Sequence, residues 1–470
     1  MMNLREAAPA LGARTSGDAR FDAVCTDSRH VAQGDLFVAL RGEHFDGHDF
    51  VSRAQDEGAA AAMVDSAWAA AHPDVGLPLL IVADTRKGLG ALAALWRARF
   101  ELPLIGVTGS NGKTTVKEMC AAILREQARA LGEPDATVLA TSGNFNNDIG
   151  MPLTLLGLRE HHRAAVIEMG MNRPGEIAYL SGIARPTVAI VTNAQRAHLQ
   201  GVGTLAAVAD EKGAIYGGLD SAGTAVVNRD DAHADQWIER NRGRSVLTFG
   251  FDGRADVRGD CELHGLGSRV TLHTPAGEVA LSLRVPGEHN VRNALAATAA
   301  CLAAGVALPA VVAGLSAFGG TRGRLQSGPG VNGSVIVDDS YNANPDSVRA
   351  AIDVLAATPG RKILVLGDMG EVGQTSAQVH DEVGGYAKSK GVDALFALGE
   401  MSAVAARNFG EGGRHFRTVD GLVAALKPML DADTVVLVKG SRFMRMERVA
   451  GALAAGQNVA PLQTGDSDAA

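Results

Sequence analysis

The chain has 470 residues, 46% of them hydrophobic and 20% charged, and a net charge of −8 from 44 Lys and Arg against 52 Asp and Glu. This is enough for roughly three domains at about 150 residues each, and the scattered basic residues exclude the electrostatic footprint of a nucleic-acid binder. Four cysteines, Cys25, Cys120, Cys261 and Cys301, lie far apart with no Cys-x-x-Cys pair, so neither a disulfide framework nor a zinc knuckle is expected and a reducing cytoplasm fits.

At the N-terminus Arg5, Glu6, Pro9 and Arg14 interrupt any apolar leader, so secretion is not expected. Short apolar runs at 35–40, 60–64 and 79–82, separated by Gly-rich turns, predict a small α/β domain over 1–98, with Arg86 to Phe100 as a connecting helix. The apolar run Leu102 to Val107 then enters Thr108-Gly109-Ser110-Asn111-Gly112-Lys113-Thr114-Thr115 and a helical stretch, Lys113 to Arg129. A strand, a Gly-rich turn and a helix N-terminus in that order make a phosphate-binding loop. Backbone amides wrap polyphosphate oxygens, Lys113 adds a point charge, and Thr114 offers a hydroxyl to Mg²⁺.

From there to about 319, β-branched runs (164–169, 187–192) alternate with Ala-rich helical stretches, which predicts βαβ units and a doubly wound, mostly parallel central sheet. The shorter runs 224–228, 245–249, 269–273 and 279–284 read as strands of an antiparallel extension. Ala294 to Phe318 carries no charge and is long enough to raise a membrane span, but Gly305 and Pro309 divide it into two buried helices. Gly319-Gly320-Thr321-Arg322-Gly323 reads as a hinge. Beyond it, strands at 334–337, 362–366, 394–398 and 434–438 alternate with helices, predicting a third, Rossmann-like α/β domain over 320–470, so that 99–319 is the central one.

Ligands bind beyond the carboxyl ends of parallel strands, and the predicted strands end at Glu168, at Thr192 and Asn193, at Asp338 and Asp339, at Asp368, and at Lys439. Glu168 has the sharpest role, because a nucleotide-bound Mg²⁺ takes a carboxylate besides the Thr114 hydroxyl. On chemistry alone, His198 reads as a solvated loop residue, and Lys212, in the helical pattern Leu205 to Ile215, as a surface charge.

Ordered stretches across nearly the whole chain resemble the Mur ligases of peptidoglycan synthesis. They are Thr26-Asp27-Ser28-Arg29, Gly34 to Leu40, Asp46-Gly47-His48-Asp49-Phe50, the phosphate loop, Gly143 to Asn147, Glu168-Met169-Gly170 and Ala197-His198-Leu199. Further on come Gly287 to Ala294, Gly323-Arg324-Leu325-Gln326, Asp338 to Pro345, Leu366 to Glu371, and Val438 to Arg442. The resemblance implies three domains that bind a UDP-sugar peptide, ATP and an incoming amine in turn; a monomer is expected. Tyr341-Asn342-Ala343-Asn344-Pro345 fits the branch that joins D-alanyl-D-alanine to UDP-N-acetylmuramoyl-tripeptide through an acyl phosphate.

Carried over by position, residues Gly109 to Thr115 would cradle the nucleotide, with Lys113 at the β- and γ-phosphates. Thr114 and Glu168 would hold one Mg²⁺, and His198 with a carbamylated Lys212 a second. Asn290 and Asn293 would face adenine, Arg324 would reach the phosphates from the third domain, and Asp339, Tyr341, Asn342 and Asn344 would line the interdomain cleft. Asn146 and Asn147 would lie near the peptide, and Ser28, Arg29, Asp46, Gly47 and His48 near the uridine nucleotide. The chain departs from some family members in having Arg196-Ala197 just before His198, with no acid there. Three rivals stand beside this reading. Folylpolyglutamate synthase has its phosphate loop much nearer the N-terminus, the ligase adding the third amino acid carries an Asp-Asn-Pro-Arg stretch absent here, and a regulatory P-loop NTPase would need no small amine.

Overall fold

The structure, a computed structural model, describes residues 1–196 and 199–456. In the first domain β1 (Arg14–Thr15), β2 (Ala23–Cys25), β3 (Asp35–Val38), β4 (Ala61–Asp65) and β5 (Leu79–Val82) form a sheet in the order β1-β5-β4-β3-β2, parallel apart from β1. Asp84 caps helix α1 (Thr85–Arg97) by accepting the backbone N–H groups of Arg86 and Lys87 at 2.8 and 3.0 Å. Helix α1 is no loose connector. Its Leu89, Leu92 and Trp96 belong to one apolar cluster with Leu155, Leu158, Ile177 and Leu180 of the central domain. The Trp96 indole N–H donates to the Leu158 carbonyl and Arg97 Nε to the Ala184 carbonyl, both at 3.0 Å.

The central sheet comprises β6 (Leu104–Thr108), β7 (Val138–Ala140), β8 (Ala164–Glu168), β9 (Val188–Val191), β10 (Thr224–Asn228), β11 (Ser245–Gly250), β12 (Val257–His264), β13 (Gly267–Thr274) and β14 (Gly277–Leu283), in the order β14-β13-β12-β11-β10-β9-β6-β8-β7. The chain leaves β6 toward one side of the sheet and later returns to build the other, so the carboxyl end of β6 is the topological switch point where α/β sheets bind ligands. Strands β10 and β11 continue the parallel sheet, and antiparallel pairing begins only at β12–β13. The expected extension therefore starts two strands later than the sequence reading placed it, and it includes β12, which that reading passed over. The cause is composition: Val257–His264 alternates buried and exposed at its start and then runs polar, so its apolar signal is short.

Helix α2 (Lys113–Ala130) follows the phosphate loop, α3 (Leu205–Gly213) carries Lys212, and α4 (Glu288–Ala303) and α5 (Leu308–Ala317) divide the long uncharged stretch, with Gly305 between them at φ 83°. No helix among the described residues is long and apolar enough to cross a membrane. Alanines on α4 let it lie close to both α2 and the sheet, and every residue from Asn293 to Cys301 is buried.

The third domain contains β15 (Gln326–Pro329), β16 (Val335–Asp339), β17 (Arg361–Gly367), β18 (Ala394–Leu398), β19 (Gly413–Phe416) and β20 (Thr434–Lys439), ordered β15-β16-β20-β17-β18-β19 and parallel except for β15. Helix α6 (Pro345–Ala356) opens with a capping box, in which Asn344 and Ser347 each accept the other's backbone N–H. The two apolar clusters of this domain draw their buried members from Leu325 onward, and among the described residues Leu266 is the one central-domain hydrophobic packed partly against them. The first and central domains thus share a core, whereas the third keeps its own.

Gly314 on α5 faces the backbone of α2, where an added Cβ would lie 2.5 Å from Ile123 Cα. We expect Gly314→Val to push the helices apart at a cost of about 1–3 kcal/mol, read as a lower denaturant midpoint than that of the wild type.

Candidate functional site

The phosphate loop joins β6 to α2 and needs glycine at two places. Gly109 has φ 147° and Gly112 φ 83°, and a Cβ on them would fall 1.8 Å from Thr192 Oγ1 and 2.4 Å from Asn293 Oδ1. The segment after β9 braces the loop from one side. The Asn193 carbonyl accepts the Ser110 N–H and its side-chain oxygen the Asn111 N–H, both at 2.9 Å, while Thr192 Oγ1 donates to the Asn111 carbonyl at 2.6 Å. Ser110 Oγ accepts the Gln195 N–H at 2.9 Å and donates to the Gln195 carbonyl at 3.1 Å. The Lys113 ammonium donates to the Gly109 carbonyl at 2.7 Å and lies over the turn. Burial lowers its pKa, and the negative charge of Glu168 opposes that fall.

Beside the loop, Thr114 and Thr115 are buried at the start of α2, and Thr114 Oγ1 accepts from Arg324 Nη2 at 3.1 Å. Glu168 ends β8, in parallel register with Val107 of β6. Its Oε1 accepts from the Asn146 amide at 2.8 Å, and its Oε2 is buried with no hydrogen-bond partner among the described residues. A buried carboxylate oxygen in that condition, lining the same cavity as the Thr114 hydroxyl, suits a divalent cation held by one carboxylate and one hydroxyl alongside phosphate oxygens. Such a site needs no cluster of three His, Cys, Asp or Glu side chains, and the described residues contain none.

Lys212 is fully buried on α3, contrary to its reading as a surface charge. Burial, with the charge of Lys113 as a second cause, pushes its ammonium well below the ordinary lysine pKa, so the amine is held toward its neutral form. The helical pattern of 205–215 was legible in the sequence, but which of its faces meets the core was not. His198 lies outside the described residues.

On the far side of Gly112, α4 presents Asn290 and Asn293 one turn apart. The Asn290 amide donates to the Pro286 carbonyl at 2.8 Å and Asn293 to Asn290 Oδ1 at 3.1 Å. The third domain faces them with the carboxyl ends of its strands. Asp339 accepts from Lys439 Nζ at 2.6 Å and from the Leu325 N–H at 3.2 Å, which fixes the backbone next to Arg324. The Arg324 guanidinium stacks 4.2 Å from the centre of the Tyr341 ring, and its Nε is buried without a partner among the described residues. Asn344, besides capping α6, pairs reciprocally with the Asn111 amide at 2.8 and 3.4 Å.

Ser110 to Thr115, Glu168, Asn290, Asn293, Arg324, Asp339, Tyr341 and Asn344 line one cavity of about 1060 Å³ between the domains, together with Asn146, Asn147 and Asn342, whereas Gly109 and Lys212 are not part of its lining. Asn147 Oδ1 accepts the Ile149 and Gly150 N–H groups, so part of its role is to start the next helix. Ser28, Arg29, Asp46, Gly47 and His48 do not line the cavity. The His48 ring is 1% exposed, with Nδ1 2.6 Å from Asp46 and Nε2 accepting the Asp65 N–H at 3.1 Å, which ties that turn to β4. Two arginines that the sequence reading did not single out stand at the cavity's rim. Arg86 on α1 grips both oxygens of Asp148 at 2.5 and 2.6 Å, and Arg196 binds Asp346. Each partner lies at least 62 positions away in the chain, so no local pattern announces them.

A phosphate loop at the switch point of a parallel sheet, faced by an arginine from a second α/β domain, defines a nucleotide-using enzyme of the P-loop class. Three family models cover most of the chain: "Mur ligase family, catalytic domain" over 20–97, "Mur ligase middle domain" over 107–301 and "Mur ligase, glutamate ligase domain" over 323–442. The UDP-N-acetylmuramoyl-tripeptide--D-alanyl-D-alanine ligase of Escherichia coli is 41% identical over 94% of this chain and 96% of its own. A crystal structure of MurF from Acinetobacter baumannii superposes with a TM-score of 0.86, at 35% identity, over 95% of this chain and 97% of that one. The MurF ligase from Thermotoga maritima in complex with ADP gives 0.77 at 27% identity, over 92% and 96%. The chain belongs to the Mur ligase family.

With a strained φ and a collision with Asn293, Gly112→Ala is expected to weaken ADP binding by roughly tenfold or more, about 1.4 kcal/mol, in titration calorimetry against the wild type.

Proposed function

We propose that this chain joins D-alanyl-D-alanine to UDP-N-acetylmuramoyl-tripeptide at the expense of ATP, through an acyl phosphate, yielding ADP, phosphate and the UDP-N-acetylmuramoyl-pentapeptide. The observation that carries this reading is the single cavity in which the phosphate loop of one domain meets Arg324, Asp339 and Asn344 of another. The full-length likeness to ligases of that name supports it.

The carboxylate oxygen of the tripeptide attacks the γ-phosphorus and displaces ADP. The dipeptide amine then attacks the acyl carbon, loses a proton and expels phosphate. Lys113 of the central domain and Arg324 of the third both line the cavity, so positive charge is in place where negative charge spreads in the transition state. Arg324 is aimed by its stacking on Tyr341 and by the Asp339–Lys439 pair behind it. A closed cavity also keeps water from an acyl phosphate that would otherwise hydrolyse.

Thr114 and Glu168 would hold a Mg²⁺ ion, which supplies charge neutralisation at the phosphate oxygens when bound. A second ion would draw on His198 and on Lys212 as its carbamate, formed when the neutral amine adds CO₂ and releases a proton. Asn290 and Asn293 would meet the adenine edge. Ser28, Arg29, Asp46, Gly47 and His48 would shape the uridine side within the 1–98 domain, Asn146 and Asn147 the peptide, and Tyr341, Asn342 and Asn344 the incoming dipeptide within 320–470. We infer a cytoplasmic reaction, where ATP and the nucleotide-sugar are found, on a monomeric chain.

Phosphate release from ATP and Mg²⁺ should require both UDP-N-acetylmuramoyl-tripeptide and D-alanyl-D-alanine, and the nucleotide-sugar product should gain the dipeptide mass. Release regardless of either substrate would return the regulatory NTPase to the front. Lys113→Ala should lower kcat by roughly 10²–10³-fold, the scale of losing one preorganised charge-stabilising group. In bicarbonate labelled with ¹³C, the wild type should show a carbamate carbon resonance that Lys212→Ala lacks, and an identical spectrum from the variant would remove Lys212 from the metal site.

A further inference from the structure

We propose that the Arg196–Asp346 ion pair is the latch that holds the third domain closed over the phosphate loop, which makes Arg196 a positioning residue for the reaction. This rests on the ligase reading, because only a reaction between groups on two domains needs the closed arrangement.

The two domain interfaces differ in kind. The first and central domains are joined through a common apolar cluster around α1. Where the third domain meets the phosphate-loop side of the central one, the contacts are polar: Asn111 with Asn344, Thr114 with Arg324, and Arg196 with Asp346. A polar interface leaves relative domain motion as the default, so the closed state depends on a few directional contacts. Among these the arginine pair is the most fully made. Asp346 Oδ2 accepts the Arg196 backbone N–H at 3.0 Å, and Oδ1 accepts Nε and Nη2 at 3.0 and 2.7 Å. Glu382 Oε2 adds a second negative charge 3.8 Å from Nη1.

Both ends of the pair are anchored to the site. Arg196 follows Asn193 and Gln195, whose hydrogen bonds hold Ser110 and Asn111. Asp346 sits in the first turn of α6, where the helix dipole favours a carboxylate. The cap of that helix is supplied by Asn344, so both Asp346 oxygens are available to Arg196. The side chains are 39% and 24% exposed, which leaves the pair open to screening by salt. With the latch made, α6 and Arg324 are brought to Asn111 and Thr114 together.

The test uses the full-length protein. Asp346→Ala, Arg196→Met and the double variant are compared for ligation kinetics, ADP affinity by calorimetry, and the distance between spin labels on the central and third domains with ADP and Mg²⁺ bound. Asp346→Ala should shift the distance distribution toward open forms and lower kcat by about 3- to 30-fold, the range for a charge-assisted pair of partial exposure. ADP affinity should stay within roughly threefold. The double variant should be no worse than Asp346→Ala, Asp346→Glu should recover part of the loss, and 0.5 M salt, about five times the ionic strength that gives a 10 Å Debye length, should slow the wild type more than the variants.

An unchanged distance distribution or an unchanged kcat in Asp346→Ala overturns the latch. So does a collapse of ADP affinity, which would make Arg196 a brace of the phosphate loop alone. If the wild type itself shows no dependence on either substrate, the ligase reading fails, and the distance measurement still decides the latch.

Discussion

The phosphate loop has almost no room of its own. At Gly109 the space a side chain would take belongs to Thr192, and at Gly112 it belongs to Asn293, so the segment after β9 and helix α4 are fitted to the loop at the scale of single atoms. The Ser110 and Asn111 N–H groups and the Asn111 carbonyl are correspondingly bonded to Asn193 and Thr192, while the Ser110 and Asn111 side chains reach Gln195. Such tight packing fixes the direction of the α2 N-terminus and of Lys113 before any ligand arrives, and preorganisation of this kind is what lets charge stabilise a transition state without reorganisation cost. Everything else in the site is placed relative to that fixed point: Glu168 one strand away on β8, the Asn290–Asn293 pair across the turn, and the third domain above.

The way the domains are joined divides labour along the chain. Burying α1 against the central domain couples the first domain through an interface that behaves as interior, so the cavity wall near Asn146, Asn147 and Asp148 is held by Arg86 in a stable frame. The third domain brings its own core and a polar face. A reaction that must admit a small amine and then exclude water gains from one rigid wall and one movable wall.

Much of this was legible in the sequence because the decisive signals were local. The phosphate loop, the two helices split at Gly305, and the acidic or basic residues that end parallel strands all follow from short-range patterns, and the resemblance added the family. What the sequence hid were facts of long-range geometry. Lys212 lies on an ordinary helical pattern, and only the packing of α3 makes it buried. Arg86 with Asp148 and Arg196 with Asp346 are separated by 62 and 150 positions, and arginines and aspartates are too common on surfaces for either pair to stand out. Strand β12 escaped because its outer half faces solvent, so its alternation fades into polar residues.

Two buried atoms with no partner among the described residues sum up the chemistry the site is built for. Glu168 Oε2 is an acceptor and Arg324 Nε a donor, and leaving either buried and unpaired costs on the order of 1–3 kcal/mol, more when the group is charged. An acidic oxygen calls for a cation and a guanidinium N–H for an anion. Both residues line the one cavity, Glu168 from the central domain and Arg324 from the third, so a single ligand that carries both charges would satisfy the two together. A metal-bound polyphosphate is such a ligand, and a free anion or a free cation is not. The unpaired donor also sits on the third domain, so where that domain closes over the loop as proposed, the free energy released there favours the closed state only when phosphate is present to accept it.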